Sequence, residues 1–314
     1  MKSKLLFIYC LAGGMFLTSV TSCTQLEDTS YNSIVADGFE PTNEDVASLL
    51  ASGYVSWRKT LLLWNGVARA QMLPADEDVL PARPNGWVDG GVYKRMHQHK
   101  WTSEDDIPLQ SWVRTYEGIN TCNRVLYQIE SGQIKLGDRE SSIVSELKVL
   151  RASYYYILDD LFGNVPIVTK FDMPDGYLPE QSSRKEVYEF IIKELTENIP
   201  NLSDKVNSEY YGRFNKWAGY ALLAKMYINS EVFSDGTHQD YDKCIVACDS
   251  VINSGKYELE SVRKSVFATK NENSKEIIFA LPFDETYVDD WNAFDYHMYS
   301  LQPENQATYN FQAT

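Results

Sequence analysis

A mainly α-helical chain, folded as a solenoid of tetratricopeptide-like helical hairpins with long irregular loops and a few short strands, is what this sequence predicts. Three observations carry that expectation. From Asn43 onward apolar residues recur at steps of three and four, the spacing that lines one face of a helix. Helix starts fall near residues 107, 141, 184, 214 and 241, so pairs separated by short turns repeat at roughly the tetratricopeptide period. In the last pair Ala221, Leu222 and Ala224 pack within the first helix, while Cys244, Cys248 and Val251 offer small residues at close-contact positions of the second. Hairpins of this kind bury their apolar faces only by stacking on one another.

The chain opens with Lys2 and Lys4, an apolar run from Leu5 to Leu17, and small residues leading to Val20-Thr21-Ser22-Cys23. That order is a secretory signal peptide. The stretch from Leu5 to Val20, interrupted by two glycines and a cysteine, is shorter than the roughly 20 apolar residues a bilayer span needs. Val-Thr-Ser-Cys resembles a bacterial lipobox, so residues 1–22 are expected to be removed and Cys23 to become the lipidated, palmitate-bearing first residue. Each buried acyl methylene then contributes about 0.8 kcal/mol to membrane attachment. Residues 23–39 are polar, poor in large apolar groups and read as a tether. Residues 40–314 read as one binding domain.

Thr42 or Asn43 can cap a helix running through Val46, Leu49, Leu50 and Gly53 to Trp57, with Glu44 and Asp45 placed in its positive first turn. Further helical patterns cover Ile107–Ile129, Ser141–Phe162, Ser183–Ile199, Phe214–Phe233 and Tyr241–Ile252, the hairpins filling about 107–255. Ser183-Arg184-Lys185-Glu186 fits a capping box. Gly163 can close a helix in the left-handed conformation, and Pro166 cannot continue one. Val165–Val168 is short, β-branched and strand-like, as is Glu276–Leu281. Two regions escape the pattern. Residues 72–101 hold three prolines and three glycines between Pro74 and Gly91, which deny them regular structure. Residues 282–314 are aromatic, polar and irregular, including Trp291, Phe294, Tyr296, Tyr299, Tyr309 and Phe311. Both read as ligand loops.

Bulk properties exclude more than they assign. With 44% apolar and 23% charged residues the chain has a globular composition, and a net charge of −15 repels phosphate backbones and anionic headgroups. Nucleic acid is therefore excluded as a partner, and the membrane is reached through the lipid anchor alone. After Cys10 and Cys23 an odd set remains, Cys122, Cys244 and Cys248, which argues against a disulfide framework. Cys244 and Cys248 share a helix face, but no further ligand stands beside them, so they are expected to be buried and inert, with no metal bound. His97, His99, His238 and His297 form no ligand set and read as solvated. No nucleophile elbow, zinc motif, phosphate loop or dinucleotide fingerprint is present. The adjacent carboxylates Asp159 and Asp160 point apart on a helix, so a two-carboxylate glycosidase has no spacing to support it. The chain is expected not to be an enzyme and to need no cofactor, with a glycoside hydrolase as the competing class.

The loop at 72–101 has the residue types of a saccharide reader. A sugar presents an apolar C–H face and a rim of hydroxyls. Trp87 suits the face, and Asp76, Arg83 and Asn85 suit the rim.

Three stretches resemble one family. The tyrosine-rich helix followed by Leu-Phe-Gly-x-Val-Pro, within Leu150–Val168, is similar to the signature of SusD/RagB-type nutrient-binding lipoproteins. The order Asp-Glu, Pro, Arg, Gly-Trp, then His-x-Trp at His99–Trp101, resembles that family's glycan-contacting loop. Trp112, Tyr116, Ile119, Cys122 and Asn123 resemble its Trp-x3-Tyr-x2-Ile-x2-Cys-Asn helix, whose residues look structural. The resemblance implies ligand contacts at Asp76, Arg83 and Trp87; Asn85 is added from chemistry alone. It further implies an oligosaccharide ligand, delivery to a SusC-like TonB-dependent outer-membrane transporter, and a lipid-anchored place at the cell surface. Peptide capture within the same family is the alternative. Family members are longer, so the resemblance also implies that a C-terminal part is missing here.

Overall fold

The computed structural model describes residues 41–63, 65–80, 89–268 and 270–282. The signal peptide, Cys23, the tether, and residues 283–314 lie outside them.

Helix α1 (Asn43–Leu62) starts at a complete capping box. The Thr42 hydroxyl accepts the Asp45 amide at 3.2 Å, and the Asp45 carboxylate accepts the Thr42 amide at 2.8 Å. Those Thr42 hydrogen bonds hold the Asp45 carboxyl below its ordinary pKa. The helix runs five residues past Trp57, and a short helix α2 (Val67–Met72) follows. Helix α3 (Val92–His97), which the proline and glycine content of residues 72–101 argued against, precedes the long pair α4 (Asp106–Glu130) and α5 (Glu140–Phe162). It forms because Val92, Tyr93 and Met96 bury one apolar side on Leu73 and Ile107.

Helix α5 is enclosed on most of its circumference, with Leu147, Val149, Leu150, Ala152, Tyr154, Tyr155 and Leu158 fully buried. Helices α1, α4 and α6 (Arg184–Asn198) are its neighbours. The approach of α4 is set by Gly118, where a β-carbon would collide with the Tyr154 ring. A mid-helix glycine costs about 1 kcal/mol against alanine, and the close approach offsets it. Tyr154 then reaches through to donate its hydroxyl to the Gly53 carbonyl at 2.5 Å, and Trp57 Nε1 donates to Ser153 Oγ at 2.7 Å.

The helix stop falls where expected. Gly163 takes φ +71°, and its amide bonds the Leu158 and Asp159 carbonyls at 3.2 and 3.1 Å. The strand expectation holds for the first half of its stretch: β1 (Val165–Pro166) pairs antiparallel with β2 (Gln181–Ser182), Val165 opposite Ser182. Beyond it Val168 is held by side chains, its amide donating to Tyr155 Oη at 2.7 Å and its carbonyl accepting Asn123 Nδ2 at 2.9 Å. Helix α6 begins at the expected capping box of Ser183 and Glu186.

Around Val168 the residues resembling the family's Trp-x3-Tyr helix are structural. Tyr116 donates to the Pro166 carbonyl at 2.7 Å, Cys122 is fully buried, and Arg151 Nη1 donates to Asn123 Oδ1 at 2.8 Å. Arg151 also meets Glu194 at 2.6 Å, joining α5 to α6. A buried carboxylate, Glu146, accepts Tyr54 Oη at 2.8 Å and Arg213 Nη2 at 2.6 Å.

The stretch expected as one helix from Phe214 to Phe233 is two: α7 (Lys216–Ile228) and α8 (Ser230–Phe233). Asn215 caps α7, and Asn229 ends it by turning its amide back to the Lys225 carbonyl at 2.9 Å. Helix α9 (Tyr241–Ile252) lies against α7, with Ala247 buried and Cys244 Sγ 3.4 Å from the Ala224 carbonyl. Here one expectation fails: Cys244 is buried but Cys248 is exposed. The buried stripe runs through Cys244, Ala247 and Val251, and Cys248 lies past its edge. Glu276–Leu281 is no strand either. Its surroundings are helices and loops, and it packs by side chains instead, Phe279 stacking on Phe214 at 4.6 Å. The result is the predicted mainly helical, tetratricopeptide-like arrangement, each long helix packed on the next.

Candidate functional site

Arg83, Asn85 and Trp87 lie outside the described residues, and of the four ligand contacts expected from sequence Asp76 alone can be placed. It sits on the turn after α2, where Glu77 and Asp78 amides fold back on the Met72 carbonyl at 3.2 and 3.3 Å. The turn is held from below. Leu73 is fully buried in a small cluster with Val92, Tyr93, Met96 and Ile107, and buried Arg69 reaches Asp78 at 3.4 Å. Asp76 itself points to solvent, its side chain 78% exposed and its Oδ1 3.4 Å from His97 Nδ1.

Sequence reasoning placed two neighbours, His99 and Trp101, in the family-like loop motif but assigned neither a ligand contact. His99 Nε2 lies 3.0 Å from the Pro74 carbonyl, and the His99 ring lies 5.4 Å from that of Trp101. Trp101 is 42% exposed. The described structure thus brings Asp76, His97, His99 and Trp101 around one turn, an open platform of a carboxylate, two imidazoles and an indole. The His-x-Trp spacing that marked this loop in the sequence pointed here, without telling which of its rings is exposed. Of the three described non-glycine residues with positive φ, two are Asp76 (59°) and His99 (54°). Such backbone costs about 1 to 3 kcal/mol for a general residue and persists where surroundings impose it, often at ligand sites.

The far side of the loop is braced by Arg95. Its Nε donates to Asp105 Oδ1 at 3.0 Å and its Nη1 to the Gly90 carbonyl at 2.6 Å. The Arg95 hydrogen bonds keep the Asp105 carboxyl below its ordinary pKa. Trp101 and Thr102 are therefore attached to a fixed corner, since Asp105 also accepts the Thr102 amide at 2.8 Å.

Among the described residues no group of histidine, cysteine and carboxylate side chains could hold a metal. Asp159 is, among the described residues, the carboxyl with the most altered chemistry: burial raises it to about 8, against the opposing pull of Arg184, whose Nε is 3.8 Å away. It is fully buried, so no substrate touches it, while Asp160 accepts Gln71 Nε2 at 2.7 Å. The consequence is thermodynamic. A carboxyl whose pKa is raised on folding stabilises fully below its unfolded value of 3.8, and that stability is lost as pH rises toward about 8. Asp159→Asn, which keeps the neutral shape, should melt higher than wild type at pH 8, the gap closing toward pH 4. Thermal unfolding across that range checks it, and a gap independent of pH would contradict it.

The SusD-like family described as starch-binding and associating with the outer membrane has a model that matches residues 36–228. A SusD-like protein of Bacteroides ovatus is 24% identical over 298 residues, 91% of this chain and 51% of that protein. The starch-binding protein SusD of Bacteroides thetaiotaomicron is 28% identical over 204 residues, 65% of this chain and 34% of that one. Among solved structures, a laminarin-binding SusD-like protein has a TM-score of 0.64 at 23% identity, covering 77% of this chain and 51% of its own. Surface glycan-binding protein A from Bacteroides uniformis has a TM-score of 0.61 at 21% identity, covering 76% and 52%. The chain spans between about a third and a half of the length of these curated relatives. Matched over well more than half of its length and folded as these proteins are, it belongs to the SusD-like family.

Proposed function

We propose that this chain is a non-catalytic, surface-exposed lipoprotein that captures an oligosaccharide on the loop at 72–101 and passes it to a SusC-like TonB-dependent transporter. The observation that carries the reading is the open platform of Asp76, His99 and Trp101 on a braced turn. Two relatives support it by name, a starch-binding protein and a laminarin-binding one. Both names denote glucans, so a glucan oligosaccharide is the first ligand to try. A glycan panel run against the purified protein should show retardation without new reducing ends. New reducing ends would replace the binder with a hydrolase.

Arg83, Asn85 and Trp87 complete the proposed contact set with Asp76. An aromatic platform contributes about 1 to 3 kcal/mol by analogy with base stacking, and each neutral hydrogen bond about 0.5 to 1.5 kcal/mol. Binding in roughly the micromolar to millimolar range follows, suited to a protein that must release its cargo. Trp87→Ala should weaken glycan binding by about tenfold or more with an unchanged melting temperature, and Asp76→Ala and Arg83→Ala should behave likewise. Calorimetry beside thermal unfolding decides it: lost stability with unchanged affinity would return Trp87 to a packing role.

Attachment rests on Cys23. Among the described residues no helix is long and apolar enough to cross a membrane. Cys23→Ala should leave the membrane fraction, and wild type purified from envelopes should retain a β-barrel transporter. A mutant that stays membrane-bound and correctly processed would remove the lipid anchor from the account.

A further inference from the structure

A cavity sharing no residue with the platform above opens between three loops beside the start of α7. It is about 570 Å³ in volume, with Asn207 and Tyr211 on one wall, Lys256 and Tyr257 on the second, and Glu272 and Asn273 on the third. Ligand sites for small molecules span roughly 300 to 1,000 Å³, so the volume alone admits one or two sugar rings.

Its walls are set by the fold. Buried Asn215, the cap of α7, sends its Nδ2 to Tyr257 Oη at 3.2 Å, which fixes that ring. The third loop is cross-linked to the second. Glu258 donates its amide to the Lys275 carbonyl at 3.2 Å, Glu260 accepts Ser274 Oγ at 2.8 Å, and the Glu260 amide meets Glu276 Oε2 at 2.9 Å. The tip carrying Glu272 and Asn273 is closed by the Ser274 amide on the Asn271 carbonyl at 2.9 Å. On the first wall Asn207 accepts the Tyr210 amide at 3.3 Å, which leaves its two N–H donors unspent. The side chains of Lys256, Glu272 and Asn273 are exposed and make no hydrogen bond among the described residues, the Lys256 amide alone being spent on Ser254 Oγ at 3.2 Å. Burial, and after it the Glu272 carboxylate, raise the Tyr211 phenol above its ordinary pKa, which places that carboxylate within electrostatic reach of the ring.

Two aromatic faces surrounded by unspent groups of both kinds, carboxylate acceptor and amide and ammonium donors, match a sugar better than the alternatives. A vicinal diol both donates and accepts, and a carboxylate beside an amide satisfies it from both sides. An anion would meet Glu272 and a chain of net charge −15. A peptide held by strand addition would need an exposed strand edge, and β1 and β2 belong to other loops.

We infer that this cavity is a second saccharide-binding site, taking a neutral pyranose unit between Tyr211 and Tyr257, with Glu272 and Asn273 on its hydroxyls. The inference rests on the reading of the chain as a glycan binder. A second point of attachment would let one chain hold a long polymer at two places, and the gain in avidity needs no new contact at either.

The test titrates maltotetraose and laminaritetraose into four proteins: wild type, Glu272→Ala/Asn273→Ala, Asp76→Ala/Trp101→Ala, and the quadruple variant. Their melting temperatures are compared throughout, and a tryptic casein digest serves as the peptide probe. With the better tetrasaccharide, wild type should show two sites, each pair of substitutions should remove one by tenfold or more, and the quadruple variant should bind neither. An unchanged wild-type isotherm for Glu272→Ala/Asn273→Ala overturns the second site and leaves the first standing. Loss of binding confined to Glu272→Ala/Asn273→Ala keeps the cavity and removes the platform. Binding of neither tetrasaccharide, or of the peptide digest alone, overturns both.

Discussion

Arg151→Ala is expected to cost about 3 to 5 kcal/mol of stability, the range for removing one partner of a buried ion pair. The side chain is 5% exposed and its guanidinium is spent on three partners at once. It pairs with Glu194 of α6 at 2.6 Å, donates to Asn123 of α4 at 2.8 Å, and reaches the Thr169 carbonyl at 3.4 Å. Its loss leaves the Glu194 carboxylate, whose side chain is 12% exposed, without its cation. It also frees Asn123, which would then hold Val168 less firmly. A domain is stable by only about 5 to 15 kcal/mol, so the change takes a large part of the whole. Urea unfolding measures it. A loss under about 1 kcal/mol, the size of an exposed pair, would show that water reaches the site and that Arg151 does not join α4, α5 and α6.

Gly118→Ala is the second large effect, and its sign is the informative part. On an exposed helix the change would stabilise by about 1 kcal/mol. Here the added methyl meets the Tyr154 ring, so the ring must leave its rotamer or α4 must move, and overpacking of this kind costs about 1 to 3 kcal/mol or more. The displaced ring also gives up its hydrogen bond to Gly53 and its contact with Trp57 at 5.6 Å. Tyr154→Leu in the same chain should restore part of the loss, because neighbours in contact couple in a double-mutant cycle. Additive losses would mean that the two residues do not meet.

These residues also mark what the sequence could disclose. The long helices and their ends were legible because periodicity and caps are local: Thr42 with Asp45 and Ser183 with Glu186 act within four residues. The joints between helices were not. Arg151 finds Glu194 43 residues away, and Tyr154 finds Gly53 101 residues away, distances at which residue type says nothing of pairing. The break at Asn229 was hidden because its cause is one amide turning back on a carbonyl, with no glycine or proline to announce it. Cys248 was misplaced because residues four apart lie 40° apart on a helix with about 3.6 residues per turn, enough to leave a narrow buried stripe. In the candidate site Asp76 was put forward from loop chemistry and the family resemblance, whereas Trp101 entered only within the His-x-Trp motif and was given no ligand role, since spacing does not tell an exposed indole from a buried one such as Trp57.

Trp101 now offers the most direct test of the saccharide platform. Its ring is 42% exposed, so removing it leaves no cavity in the core. Titration of laminaritetraose and maltotetraose into wild type and Trp101→Ala, with melting curves recorded on the same samples, separates binding from folding. The account predicts affinity weakened by about tenfold or more at an unchanged melting temperature. Equal affinities in the two proteins, or a melting temperature lowered by several degrees, would place Trp101 among the packing residues and leave the loop at 72–101 without its proposed role.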